Sequence, residues 1–232
     1  MPKAKAKAKA KAAPERREEA LSRERIVDAA IELLDEEGED GLTFRALATQ
    51  LATGAGALYW HIKNKDELLV AATEVVVART LALADARTCS TPRQAIHGIA
   101  LGVFETIDAH PWVGAQLVRN PPPTAMLRIF ERIGRQVEAL RTAPASQFTA
   151  ATVLGSYIIS ESRQNAANGR VSEPRPDRGE FLAQAAAQWQ ELDPEEFRFT
   201  RNLASRLREH DDRAEFLAGI DLILAGIAAS SR

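Results

Sequence analysis

Residues 42–65 read LTFRALATQLATGAGALYWHIKNK. The stretch holds Arg45, Lys63 and Lys65 and no Asp or Glu. Phe44, Leu47, Ala48 and Leu51, then Leu58 and Ile62, recur at helical spacing. They predict two short helices, one beginning at Thr43 and one over residues 55–62. Thr43 suits the cap of the first, because its hydroxyl can accept from an orphan backbone N–H. Ala52-Thr53-Gly54 between the helices is a tight turn. Tyr59, Trp60 and His61 are left to spread around the surface that Leu58 and Ile62 do not use.

Such a pattern meets the requirements of a helix-turn-helix. One helix must enter the major groove while its neighbour braces it across the backbone. Small residues at the start of the entering helix permit close approach, and hydroxyls and cations at the rims hold phosphates. Thr53 to Ala57 supply the small residues. Thr43, Tyr59, His61 and Lys65 can reach phosphate oxygens, and Arg45 can present its guanidinium to a guanine edge. The DNA-facing set is therefore Thr43, Arg45, Thr53, Ala55, Gly56, Tyr59, Trp60, His61 and Lys65.

Upstream, Ser22, Ile26, Ala29, Ala30, Leu33 and Leu34 predict a capped amphipathic helix over residues 22–37, with Gly38 and Gly41 at its end. Residues 26–40 carry seven acids and no Lys or Arg, whereas residues 1–25 carry five Lys and four Arg against four Glu. The acidic end should point away from phosphate and the Arg-rich start toward it. Residues 1–20 form a basic tail, and the Lys-Ala alternation of residues 1–13 predicts disorder, because period two suits no helix and the lysines repel one another. It is either a solvated tail or an arm that adds phosphate contacts.

Downstream, helical periodicity continues over residues 66–85, 93–109, 112–118, 124–141, 145–168, 178–192, 194–210 and 213–230, broken at proline-bearing loops. No stretch sustains strand alternation. The fold class is all-α: a three-helix DNA-binding domain over residues 21–67 and a larger helical ligand-binding and dimerisation domain over residues 68–232. Residues 145–168 and 213–230 are the most apolar helices and place Gly155, Gly219 and Gly226 among bulky neighbours. Paired across two subunits they predict a four-helix interface through Phe148, Leu154, Gly155, Ile158, Phe216, Ile220, Leu224 and Ile227. Left bare, those faces would make an exposed apolar patch of unusual size.

Composition excludes several classes. The single cysteine, Cys89, cannot form a disulfide framework or a cysteine zinc site within the chain. No apolar run approaches the ~20 residues of a membrane span, and the basic N-terminus lacks the apolar segment of a secretory signal, which predicts a cytoplasmic protein. No nucleophile-base pair, glycine-rich phosphate loop or metal-spaced cluster suggests an enzyme, a metal or a cofactor.

The stretch LTFRALATQLATGAGALYWHIKNKDELL closely resembles the helix-turn-helix signature of the tetracycline-repressor (TetR) family, most specifically at LYWHIKNKDELL. HPWVGAQLV, VLGSYI and FLAGIDLILAGI are similar, more weakly, to the C-terminal domain of that branch. The resemblance implies a homodimer, a palindromic operator and a small-molecule effector whose binding releases DNA. It also implies phosphate contacts at Thr43, Tyr59, His61 and Lys65, and base contacts at Arg45 and at the start of the second helix. Ala55 and Gly56 stand there in place of larger residues, so the operator should differ. In that branch a histidine after the short helix and a carboxylate in the long one hold a magnesium ion with the drug. Val118 and Ile159 occupy those places, and neither can ligate a hard cation. The remaining pocket candidates, His97, Phe104, Trp112, Gln116, Met126, Phe130 and Tyr157, suit a small, mostly apolar effector, though each also fits as packing. Alternative readings within the same fold are an activator and a regulator controlled by a protein partner.

Overall fold

Ser22 accepts from the Arg25 N–H at 3.3 Å and opens α1 (Arg23–Gly41), as its cap position predicts. In this computed structural model, residues 21–86, 90–119, 123–170 and 178–230 are described. The basic tail and Cys89 lie outside them. Gly38 breaks the helical path of α1 at φ 71°, a region that costs L-residues steric strain and glycine none. The chain then enters α2 (Phe44–Gln50), α3 (Ala55–Leu58) and α4 (Lys65–Ala86).

A second layer follows: α5 (Pro92–Ala109), α6 (Pro111–Leu117), α7 (Thr124–Ala139), α8 (Pro144–Arg170), α9 (Arg178–Glu191), α10 (Arg198–Leu207) and α11 (Asp212–Ser230). Among the described residues there is no strand. Helix α8 is the centre of this layer, touching α5, α6, α7 and α11. Ile96, Ile107, Ile129, Ile133, Val137, Leu154 and Ile158 are wholly buried around it. None of the described helices is long and apolar enough to cross a membrane.

Two expected helices are shorter than their periodicity suggested. The third ends at Leu58 rather than residue 62, because the Leu58 carbonyl accepts from both His61 (2.9 Å) and Ile62 (3.0 Å) as the chain tightens into a turn. The helix expected from residue 194 begins at Arg198 instead. Asp193 captures the N–H groups of Glu195 and Glu196, each at 2.9 Å, and holds that segment as a turn.

The apolar faces of α8 and α11 are not a bare patch. Leu154, Ile158, Phe216, Ile220, Leu224 and Ile227 are buried within the one chain, and Gly155 lies against Met126 and Ile133. Of the eight residues expected between subunits only Phe148 is exposed. The sequence shows that these positions are apolar, but α5, α7 and the α8–α11 contact cover them first. Gly219 is consumed by Tyr157, whereas Gly226 faces open space.

Candidate nucleic-acid interface and effector region

The N-terminal surface is built on three buried anchors. Leu47 of α2, Leu58 of α3 and Ile62 beyond it are buried in the same core cluster as Ile26, Ala30 and Leu34 of α1. Thr43 caps α2 by accepting from the Ala46 N–H at 3.1 Å. The turn is closed by Ala52 N–H to the Thr49 carbonyl at 3.2 Å and Thr53 N–H to the Ala48 carbonyl at 2.9 Å. Ala52 sits at φ 50°, the left-handed region that a methyl group disfavours.

With those anchors inward, Thr43, Arg45, Ala55, Gly56, Tyr59 and Trp60 are exposed, and Thr53, His61 and Lys65 are half-buried. Tyr59 stacks flat on Phe44, with ring centroids 4.4 Å apart and planes within 3°, so its hydroxyl is held on a rigid support. Trp60 has no such cover and is 90% exposed. Gly54 and Gly56 have nothing within 4 Å of an added side chain. Space there is open to a large partner.

Capping bonds at the far edge fix the exit from this surface. Asn64 Oδ1 accepts from the Glu67 N–H at 2.8 Å, while Glu67 accepts from the Lys63 N–H at 2.9 Å and from Arg23 at 3.3 Å. The Lys63 N–H holds the Glu67 carboxyl below its ordinary value, with Arg23 adding to the effect. The Lys65 ammonium donates to the Glu39 carbonyl at the end of α1.

The pocket candidates fall into separate groups. Phe104 and Tyr157 gather on Phe216, with centroids at 4.7 and 5.8 Å. Phe130 meets Phe148 edge-on at 6.3 Å, and Met126 points toward Gly155. His97 bonds Asp221 at 2.8 Å. Trp112 and Gln116 look the other way, donating to Asp35 (2.7 Å) and Glu39 (3.1 Å) of α1. A cleft of about 280 Å³ lies instead between α4 and α5, lined by Val76, Arg79, Thr80, Leu83 and Ala84 on one wall and residues from Gly98 to His110 on the other. None of the seven candidates lines it. Val118 is exposed and Ile159 buried, both hydrocarbon, and so they do not fit a magnesium site.

The acidic half of α1 is not idle. Asp28 pairs with Arg79 at 2.7 Å, Asp35 takes the His110 ring at 2.7 Å beside Trp112, and Arg119 joins Gln116 to Asp66. Sequence reasoning missed these links because, apart from Arg119 and Gln116, their partners lie 51 to 77 residues apart. The unbalanced negative charge of residues 26–40 was the one available sign that basic groups must come from elsewhere.

A model of the bacterial regulatory proteins of the tetR family matches residues 26–72. Over nearly the whole chain, the structure is similar to that of the transcriptional regulator SCO7222, a TetR from Streptomyces coelicolor. The two share 49% identity at a TM-score of 0.82, covering 92% of this chain and 100% of that one. The chain belongs to the TetR family. Among other TetR-family relatives, the class D tetracycline repressor of Escherichia coli is 52% identical over 59 residues. That match covers 25% of this chain and spans only 27% of the repressor's length. An HTH-type transcriptional regulator of Saccharopolyspora erythraea is 30% identical over 143 residues, covering 60% of this chain and 58% of that regulator. ActR of Streptomyces coelicolor shares the fold at 24% identity, with a TM-score of 0.72 over 91% of this chain and 97% of that one. As a TetR-family member the chain is a transcriptional regulator with an N-terminal helix-turn-helix.

Proposed function

We propose that this chain is a repressor that binds a palindromic operator as a homodimer and releases it when a small, mostly apolar effector binds. It acts in the cytoplasm and catalyses no reaction. The observation that carries the reading is the exposed, acid-free face running from α2 through α3 to Trp60, in which Leu47, Leu58 and Ile62 are buried and the outward residues include Thr43, Arg45, Tyr59 and the small Ala55 and Gly56. Residues 21–67 form the DNA-binding unit and residues 68–232 the effector and dimerisation unit. Tyr59, Thr43, His61 and Lys65 hold phosphates, and Thr53 and Trp60 flank them. Arg45 reads a base edge, while Ala55 and Gly56 let the helix approach closely. A protein of the same fold, BioQ of Mycobacterium smegmatis, forms a complex with its double-stranded DNA operator.

The dimer is built from the outward stripes of α8 and α11. Ala145, Thr149, Thr152, Ser156 and Ser160 recur every three or four residues on α8 and are exposed. Ala218, Leu222, Ala225 and Ala229 do the same on α11, with Leu222 75% exposed. Small side chains at that spacing permit close helix approach in a four-helix contact.

Selection of duplexes from a random-sequence pool by the purified chain tests this reading. An inverted repeat, bound by two copies per duplex in light scattering, is the expected result. Enrichment of no motif, or binding by a single copy, overturns it. Tetracycline with magnesium, at micromolar concentration, should leave the affinity for the selected duplex unchanged, because Val118 and Ile159 offer no oxygen or nitrogen ligand.

A further inference from the structure

The cleft between α4 and α5 joins an apolar trough to two of the basic groups that hold α1, Arg79 and His110. Val76, Leu83, Ala84 and Ala109 supply hydrocarbon, and Gly98 and Gly102 belong to the facing wall, where the bare Gly102 lets α5 come close to Thr80. Leu83 is 68% exposed, far more than a core leucine, which marks a side chain with space beside it. At about 280 Å³ the cleft lies near the lower edge of the ~300–1,000 Å³ usual for small-molecule sites. From Val76 to Leu83 the helix rises roughly 10 Å.

The polar groups are unevenly placed. Because α4 and α5 are successive helices running in opposite directions, His110 and Ala109 lie toward the Val76 end, and Ala84 faces Gly98 at the other. Thr80 and Thr106 share a hydroxyl bond of 2.6 Å midway. Arg79 spends one of its five donors on Asp28 at 2.7 Å. That pair is 59% and 53% exposed, in the range where ion pairs add little and a competing anion can exchange. His110 bonds Asp35 at 2.7 Å. The acidic group in the lining, Glu105, is engaged by Arg213 of α11 at 3.3 Å.

We propose that this cleft binds a carboxylate carrying an unbranched apolar tail of about eight carbons, with the carboxylate on Arg79 and His110 and the tail along Val76, Leu83 and Ala84. The bound carboxylate replaces Asp28 and Asp35, so both bonds from the cleft to α1 break together. On the repressor reading, on which this half of the proposal rests, α1 then loosens and DNA is released.

Calorimetry with sodium octanoate, and with octan-1-ol as the uncharged counterpart, tests the site without DNA. Octanoate should bind saturably, octanol at least tenfold more weakly. Arg79→Gln, and separately Ala109→Phe, which fills the trough from an exposed position, should each weaken octanoate at least tenfold. Circular dichroism melting confirms that each variant is folded. In a Trp60→Phe, Trp189→Phe background, Trp112 emission reports the loss of its Asp35 partner and should shift with the same saturation curve. Absence of saturable binding, or binding indifferent to Arg79→Gln and to Ala109→Phe, overturns the site. Binding that moves neither Trp112 emission nor the affinity for the selected duplex overturns the link to α1. Failure of the duplex selection would overturn the repressor reading while leaving the calorimetric result to stand or fall by itself.

Discussion

Tyr157 of α8 occupies the space where Gly219 of α11 has no side chain. Its ring lies within 9° of parallel to Phe216, and its hydroxyl donates to the Phe216 carbonyl at 3.3 Å. A methyl on Gly219 would run into both the hydroxyl and the ring, so the two helices approach as closely as they do because position 219 is bare. Burial raises the phenol's pKa, and Glu161 and Glu215 push the same way. Gly219→Ala should therefore destabilise the fold by ~1–3 kcal/mol, the usual cost of overpacking. Tyr157→Phe, which removes only a half-buried hydroxyl, should cost about 1 kcal/mol or less. Urea unfolding of the two variants separates these outcomes, and equal costs would argue against a steric lock.

Arg45 stands exposed on α2, and Ala55 and Gly56, which open α3, have no side-chain donors. Arg45→Ala should weaken binding to the selected operator by ~1–3 kcal/mol and relax preference at one position in each half-site. Competition with single-base operator variants measures both. A uniform loss on every sequence would assign Arg45 to phosphate instead.

Trp60 is the most exposed large apolar side chain among those described, whereas Trp112 is buried and Trp189 half-buried. On the proposed function this bare indole lies against DNA, and it should become shielded on binding. Acrylamide quenching of the wild type should fall when duplex is added, and Trp60→Phe should abolish most of the difference. Unchanged quenching on saturation with duplex would move Trp60 off the interface.

Asp221 of α11 accepts from Arg93 at 2.7 Å and from His97 at 2.8 Å. The Arg93 bond holds its carboxyl below the ordinary range, partial burial opposes this, and His97 adds to the lowering. The native state thus binds fewer protons than the unfolded chain, so the stabilisation is complete above the ordinary carboxylate value and is lost as pH falls through the folded one. The stability gap between wild type and Asp221→Asn should be constant near pH 6 and shrink below about pH 4. A gap that widens in acid would contradict the pairing.

The order of the helices was legible because periodicity, caps and breakers agree. Ser22 and Thr43 each cap the helix that their position announces. The outward set from Thr43 to Lys65 could also be read, since knowing the inner face of a short helix fixes the outer one. What could not be read was which neighbour covers an apolar face. Leu154 and Ile220 look the same in sequence whether they meet another helix of the chain or a second copy. The effector candidates, from His97 to Tyr157, are aromatic, aliphatic or polar residues in largely apolar helices, a signal that ordinary packing around Phe216 produces equally well. The α4–α5 cleft gave no such signal, because it is defined by small residues and by ion pairs between distant segments.

Helix α4 runs unbroken from Lys65 to Ala86, a rod of roughly 33 Å. One end carries Lys65 and Glu67, tied to α1 beside the exposed face of α2 and α3, and toward the other lie Arg79 and Leu83 on the cleft. A rod without a hinge acts as a lever. Turned by about 5° about its far end, it would carry Lys65 about 3 Å sideways, comparable to the reach of a hydrogen bond to phosphate. A molecule wedged beside Leu83 would thus need to shift its surroundings by only a fraction of a bond length to pull the recognition surface out of register with the groove.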